Sequence, residues 1–555
     1  MALIIDMPAI YSQTGHKYGL IADKGMVVCA RREASEIGLS ILKNGGNAID
    51  CAVAVEFALA VCFPEAGNIG GGGFMLIRFN DSVQNCIDFR EKAPSGASRN
   101  MYLDKNYAVL KENSLFGQLA SGIPGTVDGL IAAHKRFGRL SLRTLIMPAV
   151  HLAEKGFAIS SQQAHSLNSN AERLIALNGS DIPFVKNSIW LPGDTIKLPE
   201  LAATLRLIIE HGREGFYSGT VAEKITSCMK SGKGLITIND LNLYRSVWRK
   251  PLSFKYKNYH ITSMPPPSSG GVALAQLMGM VEPFSISNWG WNSERTAHLL
   301  IEAERRVYAD RAAYLGDPDF VKIPVSSLIS GSYLHKRMEK FDSLRVTSSV
   351  LIREGQVFPV HESEETTHYS IVDPFGNAVA VTTTLNGGYG SFTYVKGAGF
   401  FMNNEMDDFS IKPGFPNMYG LIGGEANSIQ PGKRMLSSMT PTIIEKENKL
   451  FMVLGSPGGS TIITTVFQTI LNVTEFKMSM QEAVNAARFH HQWLPDDVQF
   501  EPEAFTTETM NRLRFKGHIL KSRQAIGRVD AILIRPDKSL EGAPDPRGDD
   551  AARGF

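Results

Sequence analysis

Residues 51–63 read CAVAVEFALAVCF, an apolar run broken by a single charge at Glu56. A helix that is apolar all round has to be enclosed by other elements, and this run is too short to span a bilayer. It predicts a buried core helix inside a large interior. The chain has room for one: 555 residues, 43% hydrophobic and 20% charged, suit a soluble globular enzyme with one big core or roughly two to four domains. Its 57 basic and 55 acidic side chains nearly cancel, to +2. That balance leaves no basic stripe for nucleic acid and no acidic tail, so small molecules are the expected partners. Cys29, Cys51, Cys62, Cys86 and Cys228 make an odd set with no C-x-x-C pair. They fit neither a disulfide framework nor a zinc site and read as plain thiols. The N-terminal stretch MALIIDMPAIYSQTGHKYG has no basic region, sustained apolar run or small-residue cleavage site, so no secretory signal is visible.

The rest of the chain divides by pattern. ASEIGLSILKNGGNAIDCAVAVEFALAVCF is helical by spacing, and NIGGGGFMLIRF reads as a loop running into a strand. PELAATLRLIIEHG, TVAEKITSCMKSG and SERTAHLLIEAERRVYADRAAYLG carry the apolar stripe of helices lying on a core. MPPPSSGG breaks that pattern as a rigid loop. After Leu351, IREGQVFPVHESEE is polar and without period, as an exposed linker would be. HYSIVD and NAVAVTTTL then alternate apolar and polar residues around Pro374-Phe375-Gly376, which predicts a β-hairpin. TPTIIEKENKLFMVLGS predicts a second, followed by the glycine turn PGGS and the helix TIITTVFQTILNV. HILKSRQAIGRVDAILIRP returns to strand. Together these predict a layered α/β domain whose sheet is largely built after residue 366.

Four constellations could carry chemistry. Gly70-Gly71-Gly72-Gly73 lacks the Lys and Ser/Thr of a phosphate loop, so a tight backbone approach is the better reading. Adjacent His490 and His491 point in different directions and lack an H-E-x-x-H frame, so they read as packed histidines and not as a metal site. Ser40-Ile41-Leu42-Lys43, Ser166-Leu167-Asn168 and Lys230-Ser231-Gly232 reproduce in order the S-x-x-K, S-x-N and K-[ST]-G pattern of penicillin-binding serine enzymes. Matches this short arise by chance in a long chain. The fourth is the acidic linker that ends at Thr366, a threonine that opens a strand.

Taken alone, Thr366 is only a strand threonine. The segments TTHYS, TLNGGYG, NNEMDDFS, KRMLSSMTPT and GSPGG, however, resemble the successive signatures of γ-glutamyltransferases, in that family's order. The resemblance extends through DFREKAP, NIGGGGFM, SGIPGTVDGL, PPPSSGG and PDPRGDD, and so covers essentially the whole chain. It implies an α/β fold, the four-layer αββα sandwich of the N-terminal-nucleophile (Ntn) hydrolases, and a heterodimer made from one self-cleaved precursor. The cut falls between Glu365 and Thr366. A large subunit, 1–365, is mostly helical, contributes strands to the shared sheet and ends in a flexible linker over about 350–365; a small subunit, 366–555, carries the nucleophile and most of the active site.

By the same resemblance, Thr366 forms a γ-glutamyl ester with glutathione-like substrates and passes the group to water, amino acids or dipeptides. A threonine hydroxyl needs a base, and in this class the base is its own α-amine, which titrates at about 7.7–8.0. Thr384 orients the Thr366 head group, with Thr367 next to it, and backbone N–H groups of Gly458 and Gly459 form the oxyanion hole. Asn386, Glu405 and Asp408 bind the α-ammonium, while Arg90, Ser437 and Ser438 meet the α-carboxylate. KPGFPNMYGLIGG resembles the lid loop of some family members, with Tyr419 closing over the substrate. No cofactor or metal is implied, and the expected location is periplasmic or secreted. The alternatives are a glutaryl-type (cephalosporin) acylase of the same fold, a penicillin-binding-type serine enzyme acting through Ser40, and an uncleaved inactive scaffold.

Overall fold

A computed structural model describes residues 17–352 and 366–555. The stretch read for an export signal and the linker through Glu365 lie outside the described residues for the most part, 1–16 and 353–365. Two seven-stranded antiparallel sheets organise the molecule. Their strands in the first part of the chain are β1 (Leu20–Ala22), β2 (Met26–Cys29), β3 (Gly72–Arg78), β4 (Gln84–Asp88), β5 (Val247–Arg249), β6 (Leu252–Tyr256) and β7 (Tyr259–Ser263). After residue 366 come β8 (Thr367–Val372), β9 (Ala378–Thr384), β10 (Thr442–Lys446), β11 (Lys449–Gly455), β12 (Asp530–Ile534), β13 (Leu540–Ala543) and β14 (Ala551–Gly554). One sheet runs β1-β13-β12-β11-β10-β7-β6 and the other β14-β2-β8-β9-β3-β4-β5.

The two sheets face each other across a core that includes Met26, Phe74, Ala380, Ile443, Val453 and Ile532. Helices α1 (Arg32–Lys43) and α2 (Ala48–Cys62) cover the outer face of the β8–β9 sheet, in one core with Tyr369, Val379 and Val381. On the far side, α3 (Gly270–Val281), α4 (Glu294–Tyr314) and α5 (Ile462–Thr474) share a core with Ile261, Ile444, Met452 and Ala531 of the other sheet. The order helix, sheet, sheet, helix is the αββα sandwich. No helix among the described residues is long and apolar enough to cross a membrane.

As predicted, every residue of α2 is buried, and its start is fixed by a capping box between Asn47 and Asp50. The helical stretch read over 34–63 is in fact two helices, because Asn44-Gly45-Gly46-Asn47 breaks it, with Gly45 at φ +87°. Helices at Pro199–His211 and Gly219–Ser231, α4, α5 and both hairpins form where expected. The five cysteines are free thiols; Cys228 alone is partly exposed.

One expectation needs correction. The sheets are not largely built after residue 366: β8 and β9 pair with each other but are flanked by β2 and β3 from the first part, so each half of the chain supplies seven strands. The pair β6–β7, LSFKY and YHITS, is a further hairpin whose alternation of apolar and polar residues lies outside the strands expected above. The polar face of the first hairpin does not meet water. Its His368, Ser370, Thr382 and Thr384 point into the space between the sheets and are buried. They satisfy one another there: His368 Nδ1 bonds Thr382 Oγ1 at 2.9 Å, its Nε2 bonds Ser370 Oγ at 3.1 Å, and Ser370 Oγ donates to Asp530 O at 2.9 Å. Burial lowers the His368 pKa to about 3, so the ring is neutral.

Candidate active site

Thr366 stands at the mouth of β8, and Thr384 is the last residue of its partner β9. The register pairs Thr367 with Thr383, which places the preceding and following side chains together. Thr366 Oγ1 lies 3.3 Å from Thr384 Oγ1. Asn386 N donates to Thr384 Oγ1 at 2.7 Å; with its oxygen so engaged, the Thr384 hydroxyl can donate its hydrogen to Thr366. Asn386 itself adopts φ +75°, a turn conformation that asparagine tolerates. Asn68 fixes this strand end from behind, donating to Thr384 O and Thr383 Oγ1, each at 3.0 Å, and accepting from Gly71 N at 2.9 Å. A Cβ on Gly71 would come within 2.0 Å of Thr384 O. The four-glycine run therefore serves close backbone approach, as its sequence implied.

The other end of the pocket is ionic. Arg90 follows β4 and is fully buried, with its guanidinium 2.5 Å from Glu405 Oε2, 2.5 Å from Asp408 Oδ2 and 3.2 Å from Glu91 Oε2. Glu405 and Asp408 sit on a single 3-10 turn whose start is held by Asn403, which accepts from Glu405 N and Gly122 N and donates to Gly70 O. Burial raises the carboxyl pKa of Glu405 well above its ordinary value, and Arg90 offsets this only in part. Burial also raises Asp408, against the pull of Arg90 and Arg311, and takes Glu91 up to about 7. Arg90 is disfavoured by its burial, yet Glu405, Glu91 and Asp408 outweigh that and raise its pKa. Glu405 and Asp408 thus belong to a largely buried ionic cluster and not to a solvated acidic turn.

Between the two ends lie the serines, the glycine turn and Tyr419. Ser437 is held by the loop before α3: Ser437 N donates to Pro267 O, while Ser269 donates to Ser437 O through both its N–H (2.7 Å) and its hydroxyl (2.6 Å). Gly459 adopts φ +52°, and a Cβ there would meet the Tyr419 ring at 2.4 Å. Tyr419 is buried, with its hydroxyl donating to Asn386 O at 2.5 Å. Its loop is tied to the ionic end, since Asn417 donates to Asp408 Oδ1 and accepts from Tyr419 N, both at 3.0 Å. The sequence-predicted residues Arg90, Thr366, Thr384, Asn386, Glu405 and Asp408 line one pocket, and so do Tyr419, Ser437, Ser438 and Gly459. The space between them, open mouth included, is about 270 Å³. Gly458 is not in the lining; it precedes Gly459 in the turn, and its carbonyl accepts from Thr461 N at 2.8 Å. Leu421, Met439 and Ile462 complete the wall as apolar contacts.

The pocket therefore sets two paired threonine hydroxyls at one end and opposed charges at the other. The family model of γ-glutamyltranspeptidase matches residues 34–555. The chain belongs to the γ-glutamyltranspeptidase family. It is 44% identical over 537 residues to the glutathione hydrolase proenzyme of Escherichia coli K12, covering 96% of this chain and 92% of that relative. Its backbone is similar to a Helicobacter pylori γ-glutamyltranspeptidase structure, at a TM-score of 0.58 with 44% identity over 60% of this chain and 96% of that one. It is also similar to a cephalosporin acylase from Bacillus halodurans, at a TM-score of 0.86 with 25% identity over 100% and 99% of the two chains.

In this γ-glutamyltranspeptidase-family chain, the remaining motifs have structural places. Ser40 is exposed on α1, and Lys230 is exposed near the end of another helix. His490 and His491 are buried and hydrogen-bonded, His490 to Thr464 Oγ1 (2.8 Å) and Gln492 Oε1 (2.9 Å), His491 to Asp496 Oδ1 (3.2 Å). Two residues beside the pocket escaped the sequence reading. Asn68 lies inside NIGGGGFM, whose dominant sequence signal is its glycines. Arg311, on α4, donates to Ser438 Oγ at 3.1 Å and to Ser269 Oγ at 3.0 Å, and a helical arginine carries no sequence signal of such a task.

Proposed function

We propose that this chain is a self-processing γ-glutamyltransferase and glutathione hydrolase in which Thr366 is first the cleavage nucleophile and then the catalytic one. The observation that carries this is the 3.3 Å approach of Thr366 Oγ1 and Thr384 Oγ1 in a pocket ending in Arg90, Glu405 and Asp408. In the precursor the Thr366 nitrogen is an amide and cannot be a base. Attack of Oγ1 on the Glu365 carbonyl carbon moves the acyl group from nitrogen to oxygen, and water then hydrolyses that ester. The fragments 1–365 and 366–555 remain paired, because both sheets draw strands from each. The released α-amine, titrating at about 7.7–8.0, becomes the base.

In turnover, Thr366 Oγ1 adds to the γ-carbonyl of a glutathione-like amide while the α-amine takes the hydroxyl proton. Backbone N–H groups of Gly458 and Gly459 stabilise the oxyanion, and Thr384 keeps the nucleophile oriented. Collapse breaks the carbon–nitrogen bond, the ammonium gives its proton to the leaving amine, and the γ-glutamyl ester passes to water, an amino acid or a dipeptide. The head of a γ-glutamyl group carries both charges. Its carboxylate meets Arg90, Ser437 and Ser438; its ammonium meets Asn386, Glu405 and Asp408; Tyr419 covers it. Binding exchanges the Arg90–Asp408 pair for two pairs with the substrate, so no buried charge is left alone.

The likeness to a cephalosporin acylase favours a second reading, acylase action on glutaryl groups. A glutaryl head brings an anion but no cation, so Glu405 and Asp408 would lose part of their hold on Arg90 and gain nothing. Intact mass of the purified protein decides the first point. We expect fragments 1–365 and 366–555 from the native sequence and an uncut chain from Thr366→Ala; a new N-terminus at 366 in the alanine variant would overturn self-cleavage. Hydrolysis of γ-glutamyl anilide in preference to glutaryl anilide separates the two substrate readings, and the reverse preference would select the acylase.

A further inference from the structure

We infer that Arg311 is a positioning residue for substrate specificity: from behind the pocket wall it orients the Ser438 hydroxyl as a hydrogen-bond donor toward the substrate's α-carboxylate. The inference rests on the γ-glutamyl reading above and adds a residue to it. Arg311 lies on α4 and is almost wholly buried, at 5% exposure. It is not in the pocket lining. Its Nη2 donates to Ser438 Oγ at 3.1 Å and its Nε to Ser269 Oγ at 3.0 Å.

A guanidinium donates and never accepts, so each of those serine oxygens is an acceptor toward Arg311, and each hydroxyl hydrogen must point elsewhere. For Ser269 that direction is the Ser437 carbonyl, 2.6 Å away. For Ser438, among the described residues, no acceptor takes the hydrogen, and the side chain lines the pocket. The Ser438 hydroxyl is thereby set to donate to whatever acceptor enters. The same fork serves Ser437, whose backbone is held by Ser269 and whose hydroxyl oxygen accepts from Met439 N at 3.1 Å.

Charge points the same way. Arg90 is in contact with three carboxylates, whereas Arg311 forms no ion pair with a carboxylate among the described residues. Asp408 acts on it only at longer range. A buried cation without a contacting anion favours the arrival of one, and the pocket lined by Ser438, which Arg311 contacts, can admit it. Tyr308, one turn earlier on α4, donates to Ser460 O, so a single helix braces both the glycine turn and the carboxylate-binding serines. Lysine could not do the same work, because a point ammonium lacks the planar fork that spans two oxygens.

Steady-state kinetics on the processed enzyme test this, comparing γ-glutamyl anilide with 4-aminobutyryl anilide, which keeps the amine and lacks the α-carboxylate. Arg311→Met and Ser438→Ala should each lower kcat/KM for the γ-glutamyl substrate about tenfold or more, chiefly through KM, and change the aminobutyryl substrate by less than about threefold. The double variant should lose no more than the worse single one, because both act on the same contact. Equal losses on the two substrates, or losses that multiply in the double variant, would overturn the inference. Arg311→Lys, which keeps the charge, carries the same comparison if the methionine variant does not fold. If the native enzyme neither hydrolyses γ-glutamyl anilide nor takes a γ-glutamyl affinity label on Thr366, the underlying functional reading fails; if it does both and selectivity is unmoved by the variants, only the role of Arg311 fails.

Discussion

At the Thr366 end of the pocket the contacting groups are neutral hydroxyls and backbone, while at the Arg90 end an arginine and three carboxylates are buried together. The first end is positioned by chain geometry: the β8–β9 register, the Asn68 brace and a glycine turn pressed against Tyr419. The second is positioned by charge: Arg90 offsets part of the charge of three carboxyls, and burial, which raises their pKa values, keeps them partly protonated. The difference predicts different failures. A change of backbone freedom should silence the first end with modest loss of stability, whereas removal of a charge should destabilise the second.

The largest effect should come from Arg90→Met, which strands Glu405, Asp408 and Glu91 without a counter-charge. We expect a loss of about 3–5 kcal/mol in chemical denaturation at neutral pH. The deficit should narrow as pH falls, because protonation removes the unpaired charges. A deficit that ignores pH would mean the cluster is held by packing and not by charge.

Next in size is Gly459→Ala. A Cβ here meets the Tyr419 ring at 2.4 Å and φ +52° is strained for alanine, so the N–H groups proposed for the oxyanion should lose alignment. We expect kcat to fall about a hundredfold while the fold persists, as read by turnover beside a thermal melt. Unchanged kcat would remove this turn from the nucleophile end.

These contrasts also separate what the sequence revealed from what it hid. α2 was legible because a run apolar on all sides has one fate, and most of the residues that line the pocket were legible because motif order placed them in one family. The sheet interior was not. His368, Ser370 and Thr382 alternate with apolar neighbours as a half-solvated strand does, and only the second sheet laid over them turns that polar face into core. Strand ownership was hidden for the same reason: β2 and β3 flank the β8–β9 pair from more than 290 residues away in sequence, and local patterns carry no information about partners. Arg90 was read as a waiting carboxylate clamp, but the structure shows it paired with the two acids assigned to the opposite charge. Arg311 escaped because its function depends on where α4 is docked.

Behind the Thr366 end lies an ionisable group that sharpens the comparison. Glu56 of α2 is wholly buried, and burial pushes its carboxyl from an ordinary 4.5 up to about 8, against weaker opposing help from Tyr369, Asn68 and Thr383. A raised pKa means the folded state holds the proton more tightly than the unfolded one. Its stability contribution is therefore fully present below the unfolded value of 4.5 and is lost as pH rises through about 8. With about 1.4 kcal/mol per pH unit from one such group, native stability should drop by about 2 kcal/mol more than that of Glu56→Gln between pH 6 and pH 8. Parallel pH–stability curves for the two proteins would show that Glu56 is ionised in the fold and that the nucleophile end has a charge beneath it after all.

The smallest effect should come from Ser40→Ala, which tests whether any hydroxyl outside the pocket does chemistry. Ser40 heads the serine-enzyme pattern, yet it is exposed on α1, and its closest side-chain partner is Asn44, whose Nδ2 donates to Ser40 Oγ at 3.5 Å. A serine nucleophile needs a base within hydrogen-bond reach and a wall that holds the acyl oxygen. Lys43 is exposed too, Lys230 is exposed on a different helix, and Ser40 lines no part of the pocket. Alanine is the better helix former at an exposed site, so the substitution should shift stability by no more than about 0.5 kcal/mol, in the stabilising direction. Self-cleavage and γ-glutamyl turnover should stay within about twofold of native. Peptide mapping after reaction with a γ-glutamyl affinity label should find the adduct on Thr366 in both proteins. A folded Ser40→Ala protein that has lost its activity, or an adduct on Ser40 in the native one, would move the chemistry out of the pocket and dissolve the distinction between its two ends.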